Sequence, residues 1–140
     1  MDKIVIINGP NLNLLGKREI NIYGNESFDS FLLKLEKKYP NISFHYFQSN
    51  IEGEIVTALQ KYGFLKNTGI ILNPAAYTHT SIAIADAVKA IKTPVVEVHI
   101  SNITNREKYR HISYISPFCK GSIVGFGLNG YQLAVESFLK

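Results

Sequence analysis

Apolar positions follow two alternating rhythms along this chain. Lys3–Asn8 (KIVIIN) is an unbroken β-branched run, which predicts a strand covered on both faces, as in a parallel sheet. It stops at Gly9-Pro10, and a polar, glycine-bearing segment follows to Gly24. Phe28, Phe31, Leu32 and Leu35 then recur at helical spacing behind Ser27, a residue suited to an N-cap. Tyr39-Pro40 ends that helix, because proline disfavours helical backbone in the residue before it. Ile42–Phe47 alternates apolar and polar and predicts a second strand; after Gln48-Ser49-Asn50 a helix runs through Ile55, Leu59 and Tyr62. Gly69–Leu72 predicts a third strand, ending at Asn73-Pro74. Thr80 or Ser81 opens the next helix, which continues through Ile84, Val88 and Ile91. Thr93–Val98 reads as the fourth strand, Asn105–Ser113 as a short helix, Ser122–Gly125 as the fifth strand and Gly130–Leu139 as the last helix.

Strand followed by helix about five times implies right-handed crossovers and an α/β fold: a doubly wound, five-stranded parallel sheet between two helical layers. In such sheets ligands bind outside the carboxyl ends of the strands. The first, third and fourth strands end in Asn8-Gly9-Pro10-Asn11, Asn73-Pro74 and Glu97-Val98-His99-Ile100-Ser101. The polar residues of the chain therefore converge on one sheet edge.

Composition narrows the picture. With 140 residues, 46% hydrophobic and 19% charged, the chain suits one domain spanning 1–140 with a packed core. The net charge of +4 comes from scattered basic residues, without the stripe or tail of a nucleic-acid binder. Cys119 is the only cysteine, so no internal disulfide forms, which suits a reducing cytoplasm. No apolar stretch approaches a membrane span. Pro10–Leu15 is not a Ser/Thr/Gly-rich phosphate loop, Asn8 and Asn73 stand where a phosphoacceptor domain wants acids, and no dinucleotide or P-loop motif is present.

Four groups of residues carry candidate chemistry. Tyr23 follows Arg18 by five residues in a glycine-flanked loop; a guanidinium favours a phenolate, which can take a proton from carbon beside a ketone. On spacing alone the same loop also reads as a surface segment. Glu97 and His99 share a strand face, so the carboxylate can orient the imidazole and His99 can protonate a leaving hydroxyl. The Ile100 and Ser101 N–H groups, if free, can hold a carboxylate. Thr80 and Ser81 are most simply caps, whereas His79 beside them has no such role. Arg106 and Arg110 share a face if their segment is helical. Asp86 reads as an exposed mid-helix residue. No metal-ligand spacing and no hydrolase triad is present.

Taken together, these segments resemble one family. Asn8-Gly9-Pro10-Asn11-Leu12-Asn13-Leu14-Leu15-Gly16 with Arg18-Glu19 and Tyr23-Gly24 is similar to the opening of type II 3-dehydroquinate dehydratases. So are Gln48-Ser49-Asn50 with Glu52-Gly53, Asn73-Pro74 with Ala76–Ser81, Glu97–Asn102 with Arg106-Glu107 and Arg110, and the glycines 121, 125, 127 and 130 with Tyr131. The resemblance implies a flavodoxin-like fold, a dodecamer of four trimers, and dehydration of 3-dehydroquinate to 3-dehydroshikimate in the shikimate pathway, with no metal or organic cofactor. It implies Tyr23 as the base for the C2 proton, with Arg18 and Arg106 favouring its phenolate and Asn11 positioning a water for the enolate. It further implies His99, oriented by Glu97 and near Asn73, as the acid for the C1 hydroxyl. Ile100 and Ser101 would bind the carboxylate, His79 and Arg110 the ring hydroxyls, and Asp86 would reach a neighbouring subunit. Three positions depart from the family pattern. Ile20 replaces a usual proline, Ala75 a usual glycine that is strained if φ is positive, and Ala85 a frequent arginine that would serve an intersubunit contact. The rival readings are a non-catalytic flavodoxin-like module holding a small hydroxy acid and an acid–base enzyme for another keto-acid.

Overall fold

A computed structural model describes residues 1–140. Its strands are β1 (Lys3–Asn8), β2 (Ser43–Gln48), β3 (Thr68–Asn73), β4 (Val95–His99) and β5 (Gly121–Val124); its helices are α1 (Ile20–Tyr23), α2 (Phe28–Lys38), α3 (Glu52–Tyr62), α4 (Ile82–Ala90) and α5 (Asn129–Leu139). The sheet runs β2-β1-β3-β4-β5 with every pair parallel, the flavodoxin-like order.

Alternation along the strands builds two cores. Ile4, Ile6, Val96 and Val98 meet Phe28 and Leu35 of α2 and Tyr131, Ala134 and Val135 of α5. Val5, Ile7, Ile70 and Leu72 point the other way, onto Ile55 and Leu59 of α3 and Ile84 and Val88 of α4. Helices on both faces leave these strands no polar side, which explains their unbroken apolar runs.

Local chemistry sets the boundaries. Ser27 Oγ accepts the Ser30 N–H at 3.2 Å and caps α2; Ser81 Oγ accepts the Ile84 N–H at 2.9 Å, so Ser81 rather than Thr80 opens α4. The predicted helix over 105–113 does not form. Two 3₁₀ turns, Ile103–Asn105 and Lys108–Arg110, take its place, with Arg106 extended between them at φ −122°. Asn102 Oδ1 accepts from both the N–H (3.3 Å) and the hydroxyl (2.7 Å) of Thr104, a local turn that competes with a helix. The 3₁₀ stretch Ala75–His79 and the single turn α1 are too short to leave a periodic signal.

Where β1 and β3 end, the chains almost touch. A Cβ on Gly9 would sit 2.5 Å from the Pro74 carbonyl oxygen, so only glycine fits there. Asn8 and Asn73 are ladder partners at this point, and the Gly9 N–H continues the pairing to the Asn73 carbonyl at 2.8 Å. No helix is long and apolar enough to cross a membrane.

Candidate active site

The sheet order reverses direction at β1, and the carboxyl ends of β1, β3 and β4 open there into a cleft of about 160 Å³. Asn11 enters it from the end of β1, in left-handed backbone at φ 69°, with its N–H held by Asn50 Oδ1 at 3.0 Å. Asn73 enters from β3, and both ends of its amide are bonded. Its Oδ1 accepts the Ala75 N–H at 3.1 Å, and its Nδ2 donates to the Tyr131 hydroxyl at 2.9 Å. Tyr131 in turn donates to Asn8 Oδ1 at 2.7 Å. This buried network ties the ends of β1 and β3 to α5, and burial pushes the Tyr131 phenol well above the usual range.

The Gly16–Gly24 segment brings Arg18 and Tyr23 to the same cleft. Arg106 Nη1 donates to the Tyr23 hydroxyl at 2.9 Å and to Ser101 Oγ at 3.2 Å. Arg18 stands over the ring face, its Cζ 4.9 Å from the centroid, and ion-pairs with Glu19. The contact to the phenol oxygen therefore comes from Arg106, across the cleft, while the arginine nearer in sequence packs on the ring. Arg106 reaches the cleft without the helical face that sequence spacing predicted for it. So does Arg110, whose Nε lies 2.8 Å from Glu107 Oε2.

His99 leaves the end of β4 into the cleft and is 5% exposed. Its Nε2 lies 3.2 Å from Glu97 Oε2, off the N–H direction, so the pair is at contact distance but not yet an aligned hydrogen bond. Glu97 does not line the cleft. It sits behind His99, 1% exposed, and accepts from Ser113 Oγ at 2.7 Å and Ser122 Oγ at 3.4 Å. The ring of His79 lies near parallel to that of His99, 6.3 Å away. Its Nδ1 is 2.7 Å from the Ile112 carbonyl oxygen, which can only accept. Nδ1 therefore carries the proton, and Nε2 of the neutral ring is an acceptor. Burial, with the positive charge of His99 and Arg110 nearby, holds the His79 pKa below the ordinary histidine value.

The N–H groups of Ile100 and Ser101 bond no other protein group. Asp86 is exposed on α4 and lies outside this cleft. Ala75 has φ 54°, the left-handed backbone its family position suggested. Ala85 is 3% exposed and packed in the layer of α3 and α4, so the alanine itself makes no surface contact. Sequence reasoning gave Asn50, Ser113 and Tyr131 no role. Each is a polar residue whose importance depends on a partner at least sixteen positions away.

A doubly wound sheet that gathers a phenol held by guanidinium, an imidazole backed by a buried carboxylate, and free backbone N–H groups on one edge marks the chain as an α/β enzyme. The chain belongs to the class II dehydroquinase family, whose sequence model matches residues 2–139. It is 56% identical over 138 residues to the 3-dehydroquinate dehydratase of Fusobacterium nucleatum, covering 95% of this chain and 93% of that one. It is 51% identical over 137 residues to that of Caldicellulosiruptor bescii, covering 96% and 94%. The crystal structure of type II dehydroquinase from Butyrivibrio crossotus superposes with a TM-score of 0.93 at 46% identity, covering 99% of this chain and 98% of that one.

Proposed function

We propose that this chain dehydrates 3-dehydroquinate to 3-dehydroshikimate by anti elimination through an enolate, in the shikimate route to aromatic amino acids. The observation that carries the reading is the joint presence in one cleft of Tyr23, its hydroxyl bonded by Arg106, and His99 backed by Glu97. The C3 ketone acidifies the C2 proton, and Tyr23 takes it. Arg106 delivers positive charge to the phenol oxygen, where negative charge must reside before the transfer, and Arg18 adds to that field from the ring face. Asn11 positions a water that donates to the enolate oxygen. His99, its imidazolium stabilised by Glu97, gives a proton to the C1 hydroxyl, which departs as water. Proton transfer between Tyr23, His99 and solvent then restores both groups. Asn73, locked by Tyr131, forms the floor beside His99.

The free N–H groups of Ile100 and Ser101 bind the substrate carboxylate, while the His79 Nε2 acceptor and Arg110 bind ring hydroxyls. No metal or organic cofactor takes part. Asp86 reaches the site of a neighbouring copy in a dodecamer of four trimers, and α4 exposes Ile82 one turn before it, at 66%, as an interface would require. The enzyme works in the cytoplasm on a small metabolite, without nucleic acid or membrane.

The direct test is an ultraviolet assay for the conjugated enone product, with purified protein, fresh 3-dehydroquinate, chelator and no added cofactor. Turnover supports the proposal. Binding of substrate without any absorbance rise overturns it in favour of a non-catalytic binding module, and turnover only with a different keto-acid overturns the substrate.

A further inference from the structure

Glu97 is a buried carboxylate whose two oxygens serve different partners. Oε2 faces His99 at 3.2 Å; Oε1 receives the Ser113 hydroxyl at 2.7 Å, the shorter of the two serine contacts. That hydroxyl has one direction in which to donate. It is itself the acceptor for the Ile115 N–H at 3.2 Å and the Ser116 N–H at 3.0 Å. A serine hydroxyl carries one proton and two lone pairs. With both lone pairs engaged by backbone donors, the proton is committed to Glu97. Two backbone dipoles also polarise the hydroxyl and strengthen its bond to the carboxylate.

The neighbours of Ser113 are anchored at the same place. The Ile112 carbonyl takes the His79 Nδ1 proton at 2.7 Å, and the Tyr114 N–H bonds the Thr78 carbonyl at 3.0 Å. Ile112 and Ser113 thus fix both imidazoles of the cleft, one directly and one through a carboxylate. We propose that Ser113 is a positioning residue for the reaction. By binding Oε1 it stabilises the ionised, correctly rotated form of Glu97, leaving Oε2 to hold His99 as proton donor. The inference rests on the reading of His99 and Glu97 as the acid pair.

The mechanism makes the role separable from plain structure. Without the Ser113 hydroxyl, a carboxylate that is 1% exposed loses its shortest donor and the contact that fixes its rotation, so Oε2 is no longer held toward His99. The other titratable groups around the pair are His79, stacked at 6.3 Å, and Cys119, whose thiol burial and Glu97 push up to about 12. Both remain in place in the variant. Ser122 donates over a longer distance and shares its hydroxyl with Ser116 at 3.1 Å, so it contributes less.

The test measures kcat, KM and the pH–rate profile of 3-dehydroquinate dehydration for the parent enzyme, Ser113→Ala, Ser113→Thr, Ser122→Ala and Glu97→Gln. Loss of a hydrogen bond to a charged group predicts a kcat about ten-fold or more lower for Ser113→Ala. KM should be nearly unchanged, and the alkaline limb of the profile should shift. Ser113→Thr, which keeps the hydroxyl, should restore most of the rate, and Ser122→Ala should cost much less. If Ser113→Ala does not assemble, the near-isosteric Ser113→Cys reads the same loss with a weak donor. A profile superimposable on the parent's, or a kcat loss that threonine does not rescue, overturns the inference. Full activity in Glu97→Gln would instead overturn the acid-pair reading beneath it.

Discussion

Ala75 holds φ 54° with its N–H on Asn73 Oδ1, so a side chain sits in backbone that glycine occupies without strain. Ala75→Gly is expected to raise stability by about 1 kcal/mol, read from the midpoint of chemical denaturation; an unchanged or lower midpoint would contradict the strain. The residue beside it in function, Asn73, gains no new partner in that variant, so kcat should not fall. At Tyr23 the geometry assigns unequal weight to two arginines. Arg106 bonds the hydroxyl at 2.9 Å, whereas Arg18 covers the ring and is neutralised by Glu19. Arg106→Ala should therefore lower kcat by roughly ten- to a hundred-fold, the range for a lost hydrogen bond to a charged group. Unaltered kinetics would remove Arg106 from the chemistry. His79 supplies a stability signal. Its folded-state pKa lies below that of the unfolded chain, so the native state disfavours its protonation. Its contribution is present above the ordinary histidine value of about 6.5 and is lost as pH falls through the folded value. Melting temperature should decline over that acidic window, and His79→Gln should flatten part of the decline. Asn73, Glu97 and His99 stood out in the sequence because polar residues are rare in a core strand or its end; the bonding of Asn73 to Tyr131 was not legible, since it depends on a distant partner, and the pairing of Arg106 with Tyr23 entered only through family resemblance.

At the scale of elements, β1, β3 and β4 were readable because burial on both faces leaves a run of apolar side chains with no competing pattern. The capped starts of α2 and α4 were readable for a different reason: one serine oxygen satisfies an orphan N–H wherever the helix lies. Ser81→Ala should cost about 1 kcal/mol of stability, measured by denaturation, and a negligible change would show that α4 is held by packing alone. The segment after β4 defeated the pattern. Arginines 106 and 110 stand four apart, as on a helix, but the Asn102–Thr104 turn takes the local hydrogen bonds first. The result serves the site, because an extended Arg106 spans from Ser101 to Tyr23, which a helical one is not required to do.

For the whole molecule, topology does what no single segment reveals. Reversal of strand order at β1 leaves a crevice between chain ends that are far apart in sequence, and the polar termini of three strands meet there. The convergence was inferable from strand order; the opposing wall, formed by 18–23 and 106–110, was inferable only from family resemblance. Asp86 remains outside the cleft of its own chain, beside exposed Ile82. The trimer proposal therefore predicts that Asp86→Ala raises KM for 3-dehydroquinate, and that dilution or interface variants that yield monomers, tracked by light scattering, lose most activity. A fully active monomer would contradict a shared site.

The central claim is that Tyr23 removes the substrate proton in a cleft that binds substrate through other groups. Its most direct test is Tyr23→Phe, assayed for turnover of 3-dehydroquinate and, by calorimetry on the same sample, for substrate binding. The account predicts binding close to that of the parent with turnover abolished. A phenylalanine variant that binds and still turns over at a substantial fraction of the parent rate would contradict it.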